Sequence, residues 1–145
     1  MMKNVLFLCT GNFYRSRLAH EYFNFWCDKL ALPYQADSRA LSQVLEGNGN
    51  KGNIAKEVVQ ILTGLEIPCH SQHRPPLSVT ADDFANAELV IAMDKDEHLP
   101  MVSQDYVAVK DKVNYLNVGD VHVEPVYVAV PKLIKQVDHL ISTLT

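Results

Sequence analysis

A chain of 145 residues suits a single domain with room for a proper core, and 48% hydrophobic with 21% charged residues is ordinary for a globular protein. Thirteen Lys and Arg against seventeen Asp and Glu leave a net charge of −4, which argues against a general nucleic-acid or acidic-membrane surface. Cysteines at 9, 27 and 69 lack framework spacing, and neither a signal peptide nor a membrane-length apolar run is visible, so a reducing, cytoplasmic setting is expected.

The first element is a buried strand over Asn4 to Cys9, apolar through Val5-Leu6-Phe7-Leu8. It runs straight into Cys9-Thr10-Gly11-Asn12-Phe13-Tyr14-Arg15-Ser16, a Cys-x5-Arg spacing with a Gly inside the turn. A helix is expected from Arg15 to Leu30, with Leu18, Ala19, Tyr22, Phe23, Trp26 and Leu30 near helical spacing. Its N-terminal N–H groups and positive dipole end then face the same point as the Cys9 thiol. A short loop of this kind can wrap a tetrahedral dianion with its amides turned inward, and positive potential favours the thiolate, a nucleophile suited to phosphorus. A nucleotide-binding P-loop fits less well, because Arg15-Ser16 stands where a Lys-Ser or Lys-Thr pair is needed and the loop is shorter.

Further along, Tyr34 to Ser38 is a candidate second strand, and Glu46 to Asn53 is a loop by its Gly and Asn content. Ile54 to Leu65 carries a helical stripe of Ile54, Val58, Ile61, Leu62 and Leu65. His70 to Leu77 is irregular around Pro75-Pro76, and Thr80-Ala81-Asp82-Asp83 offers a capped helix start. Glu88 to Met93 is a strongly apolar strand, with a short helix able to begin after Asp94. Lys112 to Val118 alternates like a strand, and Pro131 to Leu144 closes the chain as a helix. Strands separated by helices imply an α/β three-layer sandwich: a central four-stranded, mainly parallel sheet with helices on both faces. Its ligand site lies beyond the carboxyl ends of the strands, where the Cys9 loop sits. Nothing marks a second domain within 1–145.

Several other groups are explained by structure alone. Asp82, Asp83, Asp94, Asp96 and Glu97 lack the spacing of a calcium loop and suit helix caps and solvated faces. Cys69-His70 with His73 has no fourth ligand at metal-site spacing, so neither metal nor cofactor is expected.

Val5-Leu6-Phe7-Leu8-Cys9-Thr10-Gly11-Asn12 followed by Arg15-Ser16 resembles the low-molecular-weight protein tyrosine phosphatase family, over nearly the whole chain. Asp37-Ser38, His73-Arg74, Ala92-Met93-Asp94 and Glu124-Pro125-Val126-Tyr127 resemble later family segments. The resemblance implies a metal-free phosphomonoesterase acting on phosphotyrosine-type esters of proteins or small aryl phosphates through a cysteinyl-phosphate intermediate. By position it makes Cys9 the nucleophile and Arg15 the clamp on the phosphoryl oxygens. Thr10, Gly11, Asn12, Phe13 and Tyr14 would form the loop that takes phosphate or sulfate. Asn12, Ser38 and His73 would support that loop, and Ser16 would stabilise the thiolate. The proton donor falls on Glu124, where the family carries Asp before Pro, with Asp120 as the competitor, and Tyr127 becomes the wall for a substrate ring.

Tyr14 replaces a second Cys that the family often places before the Arg, so the loop has no partner for a protective disulfide. Two other functions share the loop's chemistry. A thioredoxin-coupled arsenate reductase needs further cysteines after the central strand, and none follows Cys69. A pseudophosphatase that binds phosphate without turnover is the remaining alternative, ranked below the enzyme because Cys9, Arg15 and Ser16 are all retained.

Overall fold

The computed structural model describes all 145 residues. Four strands, β1 (Lys3–Cys9), β2 (Tyr34–Ala40), β3 (Leu89–Ala92) and β4 (Val113–Tyr115), form one sheet in the order β2-β1-β3-β4. Every pairing is parallel, with Phe7 opposite Ser38 on one side and Ile91 on the other. Five α-helices accompany it: α1 (Arg15–Lys29), α2 (Lys56–Gly64), α3 (Ala81–Asn86), α4 (Lys95–Asp105) and α5 (Val126–Thr143).

The twofold alternation of β1 explains the layers, since successive side chains point to opposite faces of a strand. Val5, Phe7 and Cys9 join the larger core with Leu18 and Phe23 of α1, Val58 and Leu62 of α2, and Leu133, Val137 and Ile141 of α5. Leu6 and Leu8 point the other way, into a smaller core with Phe84 of α3, Val102 of α4, Leu41 and Val79. Phe7 and Phe23 meet edge to face with centroids 5.6 Å apart, fixing α1 over the middle of β1. The expected three-layer arrangement is therefore present, with a fully parallel sheet.

Two boundaries differ from expectation by more than two residues. The last helix starts at Val126, not Pro131, and Pro131 lies inside it. Proline cannot donate to the carbonyl four residues earlier, but that residue, Tyr127, is exposed, so water can serve the oxygen. The fourth strand covers only Val113–Tyr115: a 3-10 helix ends at Lys112, Tyr115 pairs with Ala92, the last residue of β3, and beyond it Asn117 makes only an isolated antiparallel bridge to Asp94. Thr80 caps α3 as expected, its hydroxyl accepting from Asp83 N–H while the Asp83 carboxylate accepts from Thr80 N–H.

Crossovers leave β1 towards β2 on one side and reach β3 on the other, so chain direction across the sheet switches beside β1. Ligands of open parallel sheets bind at such switch points, off the carboxyl ends of the strands. The Cys9 loop leaves β1 at that point, and α4 begins just beyond β3 next to it.

Candidate active site

From Thr10 to Arg17, no backbone N–H donates to any acceptor within the protein. The first helical bond of α1 that reaches back is from Leu18 N–H to Tyr14 O, at 3.0 Å. Tyr14 provides no side-chain cap and the first turn of α1 carries no acid, so the positive end of the helix is left for another anion. A run of uncommitted amides ending in a bare helix N-terminus is a cradle for a tetrahedral oxyanion.

Cys9 is buried at the end of β1, its Sγ 3.0 Å from Ser16 Oγ. Ser16 Oγ also accepts from Asn12 Nδ2 at 2.9 Å, which leaves the serine proton free to turn towards an ionised sulfur. Asn12 adopts a left-handed conformation, φ 51°, that curls the loop. Its side-chain oxygen accepts from Arg74 Nη1 and from Leu77 N–H, each at 3.1 Å.

Ser38, expected to support the loop, makes no hydrogen bond to it. Arg74 Nη2 donates to Ser38 Oγ at 2.9 Å, so Arg74 bridges Ser38 to Asn12, and His20 Nδ1 lies 3.0 Å from the same hydroxyl. His73 is exposed, and only its carbonyl is engaged, by Asn53 Nδ2 at 3.0 Å. The part assigned to His73 thus falls one residue on, to Arg74, whose longer side chain reaches the loop. Beneath them Arg17 is fully buried and donates to the carbonyls of Asn53, Ser71 and Arg74 at 2.8, 2.7 and 2.9 Å, and to Asn12 O at 3.3 Å. Burial and the neighbouring Arg74 charge lower its pKa to about 10, still well charged at neutral pH.

Arg15 is 2% exposed, and its donors can be followed one by one. Nη1 donates to Glu97 Oε1 at 3.0 Å and to Val118 O at 2.9 Å, while Nη2 donates to Glu97 Oε2 at 2.7 Å. A guanidinium has five N–H donors. Those left are Nε–H and the second Nη2 proton, which are parallel along one edge of the plane. That edge is the fork shape that matches two phosphoryl oxygens.

Glu97 also accepts from Thr10 Oγ1 at 2.5 Å and lies 3.0 Å from His98 Nε2. His98 is fully buried and its Nδ1 accepts from Asp94 N–H, which fixes the proton on Nε2, facing Glu97 and Thr10. Burial pushes the Glu97 carboxyl up, yet hydrogen bonds from His98, Arg15 and Thr10 and the Arg15 charge outweigh it and hold the group far below the usual carboxylate range. Sequence reasoning assigned Glu97 to a solvated helix face. The available signal was Asp94, which caps α4 by accepting from Glu97 N–H at 2.9 Å and thereby fixes the first turn of α4 beside the Cys9 loop.

The two candidate proton donors lie on one compact turn, in which Asp120 O accepts from Val123 N–H and Glu124 N–H. Glu124 turns away: its carboxylate takes Lys132 Nζ at 2.6 Å and Gly119 N–H at 3.2 Å. The hydrogen bond from Lys132 is the main reason its pKa falls below the ordinary glutamate value. Asp120 Oδ2 is 3.8 Å from Arg15 Nη2, the nitrogen that carries one of the two unused protons.

Around the rim, a side chain added at Gly11 would stand 3.1 Å from Asn50 Nδ2 and 3.6 Å from Asn48 Nδ2. The 46–53 loop therefore lies close over Gly11 and presents amides there, without a ring. Tyr127, 80% exposed on the first turn of α5, is free to contact a ligand, and Phe13 is half-buried. Tyr14 is not a rim residue: it is buried, with its hydroxyl lacking a partner. Cys27 and Cys69 are free thiols, both pushed up to about 11 chiefly by burial.

The family model for low molecular weight phosphotyrosine protein phosphatase matches residues 4–138. Among solved structures, the low molecular weight protein tyrosine phosphatase SP-PTP of Streptococcus pyogenes superimposes with a TM-score of 0.81 at 22% identity, covering 99% of this chain and 94% of its own. The low molecular weight protein tyrosine phosphatase of T. tengcongensis gives 0.80 at 25% identity, covering 98% and 99%. Wzb of Vibrio vulnificus, solved in complex with benzylphosphonate, gives 0.73 at 13% identity, covering 96% and 94%. No curated protein matches the sequence.

Proposed function

We propose the following division of labour for this chain, which belongs to the low molecular weight phosphotyrosine protein phosphatase family and is a cysteine-dependent phosphatase. Cys9 thiolate attacks phosphorus in line with the leaving oxygen, forming an S–P bond as the P–O bond breaks. The amides of the loop and the Nε/Nη2 edge of Arg15 hold the three equatorial oxygens in the planar arrangement they take only in the transition state. A carboxylic acid protonates the leaving oxygen, then takes a proton from the water that cleaves phosphocysteine, and Ser16 receives the departing sulfur as an anion.

Asp120 is the better candidate for that acid. Glu124, the sequence-based choice, is committed to Lys132 and Gly119 N–H, whereas Asp120 lies beside the Arg15 nitrogen that would grip the phosphoryl group. The ester is taken to be an aryl phosphate on a protein or small molecule, with Tyr127, exposed on the first turn of α5, as the ring offered to it. No helix is long and apolar enough to cross a membrane, and a cytoplasmic enzyme is the proposed setting.

The observation that carries this reading is Cys9 Sγ, 3.0 Å from Ser16 Oγ, at the start of a run of amides with no internal acceptor. The test is to quench a reaction with p-nitrophenyl phosphate and look for phosphate on Cys9 by mass spectrometry. Cys9→Ser should abolish turnover, since an alcohol there is neither ionised nor a good leaving group. Undiminished hydrolysis by that variant rules out the covalent route. Asp120→Asn should slow poor leaving groups most, and a larger effect from Glu124→Gln would return the role to Glu124.

A further inference from the structure

Arg15 can grip a phosphoryl group only if its plane is turned so that one edge faces the loop, and the length of the arginine side chain does not fix that rotation. Three of its five donors are spent within the protein, two of them on Glu97 and the third on Val118 O. The carboxylate meets the guanidinium end-on and bidentately, the geometry in which a planar pair resists twisting. Glu97 is itself fixed at both ends. Its backbone N–H is held by the Asp94 cap, and its Oε2 is shared by Thr10 Oγ1 and His98 Nε2. Thr10 belongs to the phosphate loop, so the same carboxylate ties the loop, α4 and the guanidinium together.

Building on the phosphatase reading above, we infer that Glu97 is the positioning residue for Arg15: it takes the end of the guanidinium and thereby presents the Nε–H/Nη2–H edge to the phosphoryl oxygens. Glu97 does not touch substrate. Its contribution passes through the orientation of Arg15 and is largest in the transition state, when the phosphoryl group is planar and two of its equatorial oxygens match the fork. The opposite account is that Glu97 competes with the phosphoryl group for Arg15, acting as a built-in anion that lowers activity. Both accounts use the same contacts, and they differ in the sign of the effect on turnover.

Glu97→Gln separates them. It keeps the shape, can still accept one Arg15 N–H, and opposes the other with an NH2 group. If Glu97 positions Arg15, kcat on p-nitrophenyl phosphate falls by about 10²-fold, the loss expected from a misplaced clamp, while KM stays within a few fold. A rise in kcat/KM overturns the proposal in favour of competition. Coupling is checked with Arg15→Lys, which cannot use the bidentate geometry. Adding Glu97→Gln to Arg15→Lys should cost little more than Arg15→Lys alone, and fully additive losses mean that Glu97 acts elsewhere.

A readout independent of turnover keeps this test apart from the phosphatase assignment. In wild-type protein the Arg15 side-chain N–H protons should give separate NMR resonances, because the bidentate carboxylate slows rotation of the guanidinium. In Glu97→Gln they should merge. Resonances that stay separate in the variant overturn the positioning role, whatever the enzyme hydrolyses. Absence of phosphocysteine in wild type would instead overturn the assignment of the reaction.

Discussion

Asn12 is where backbone conformation and side-chain bonding can be separated by two substitutions. Its left-handed backbone, φ 51°, costs an ordinary side chain about 1–2 kcal/mol, which glycine does not incur. Its amide makes three bonds: to Ser16 Oγ, from Arg74 Nη1 and from Leu77 N–H. At about 0.5–1.5 kcal/mol net for each, their loss sums to roughly 3 kcal/mol in either variant. Asn12→Gly loses the bonds and keeps the turn, with a further cost of about 0.4–1 kcal/mol from its freer unfolded chain. Asn12→Ala loses the bonds and adds strain, so it should be the less stable of the two by roughly 1 kcal/mol. Urea unfolding of the three proteins gives these differences, and p-nitrophenyl phosphate kinetics shows whether a correctly curled but unsupported loop retains turnover. If Asn12→Gly unfolds within about 0.5 kcal/mol of wild type, a margin typical of a neutral surface change, the amide is not what holds the loop.

Two further expectations concern the buried charges behind the loop. Arg17→Met should cost about 3–5 kcal/mol in urea unfolding, because it strips donors from the carbonyls of Asn53, Ser71 and Arg74 in one step; a loss under about 1 kcal/mol would mean that water replaces it freely. His20 is held neutral to about pH 4 by burial, with Arg74 and Arg17 acting the same way and Glu21 and Asp37 opposing. An unfolded histidine takes its proton near 6.5, so between about pH 6.5 and 4 the unfolded state binds more protons and stability falls as pH falls, by up to about 1.4 kcal/mol per unit. His20→Gln should flatten that part of the stability–pH curve, and an unchanged slope would refute the assignment.

The residues that met inside one stretch of chain were legible from sequence. Cys9, Asn12, Arg15 and Ser16 lie on a single strand–loop–helix turn, so their spacing already determines that they converge. The apolar run of β1 and the stripes of α1 and α2 were likewise legible, since burial patterning is local, whereas the division of β1 between two cores came only with the structure. Glu97 and Arg74 were not legible, because each acts across the fold: Glu97 reaches Arg15 from the other side of the sheet's switch point, and Arg74 reaches Asn12 from an irregular segment. Glu124 was preferred because a proline follows it. Its Lys132 partner sits two helical turns away on α5, which begins earlier than the proline at 131 suggested. Asp120 and Glu124 share one turn, and only their side-chain directions distinguish them.

Arg17 and Arg74 knit the floor of the pocket to the sheet, whereas the Gly- and Asn-rich stretch above Gly11 takes no part in that lattice until Asn53. The floor is therefore braced by buried arginines, while what covers Gly11 rests on it only through the side chains of Asn48 and Asn50, so exchanges between 46 and 52 leave every bond of the bracing in place.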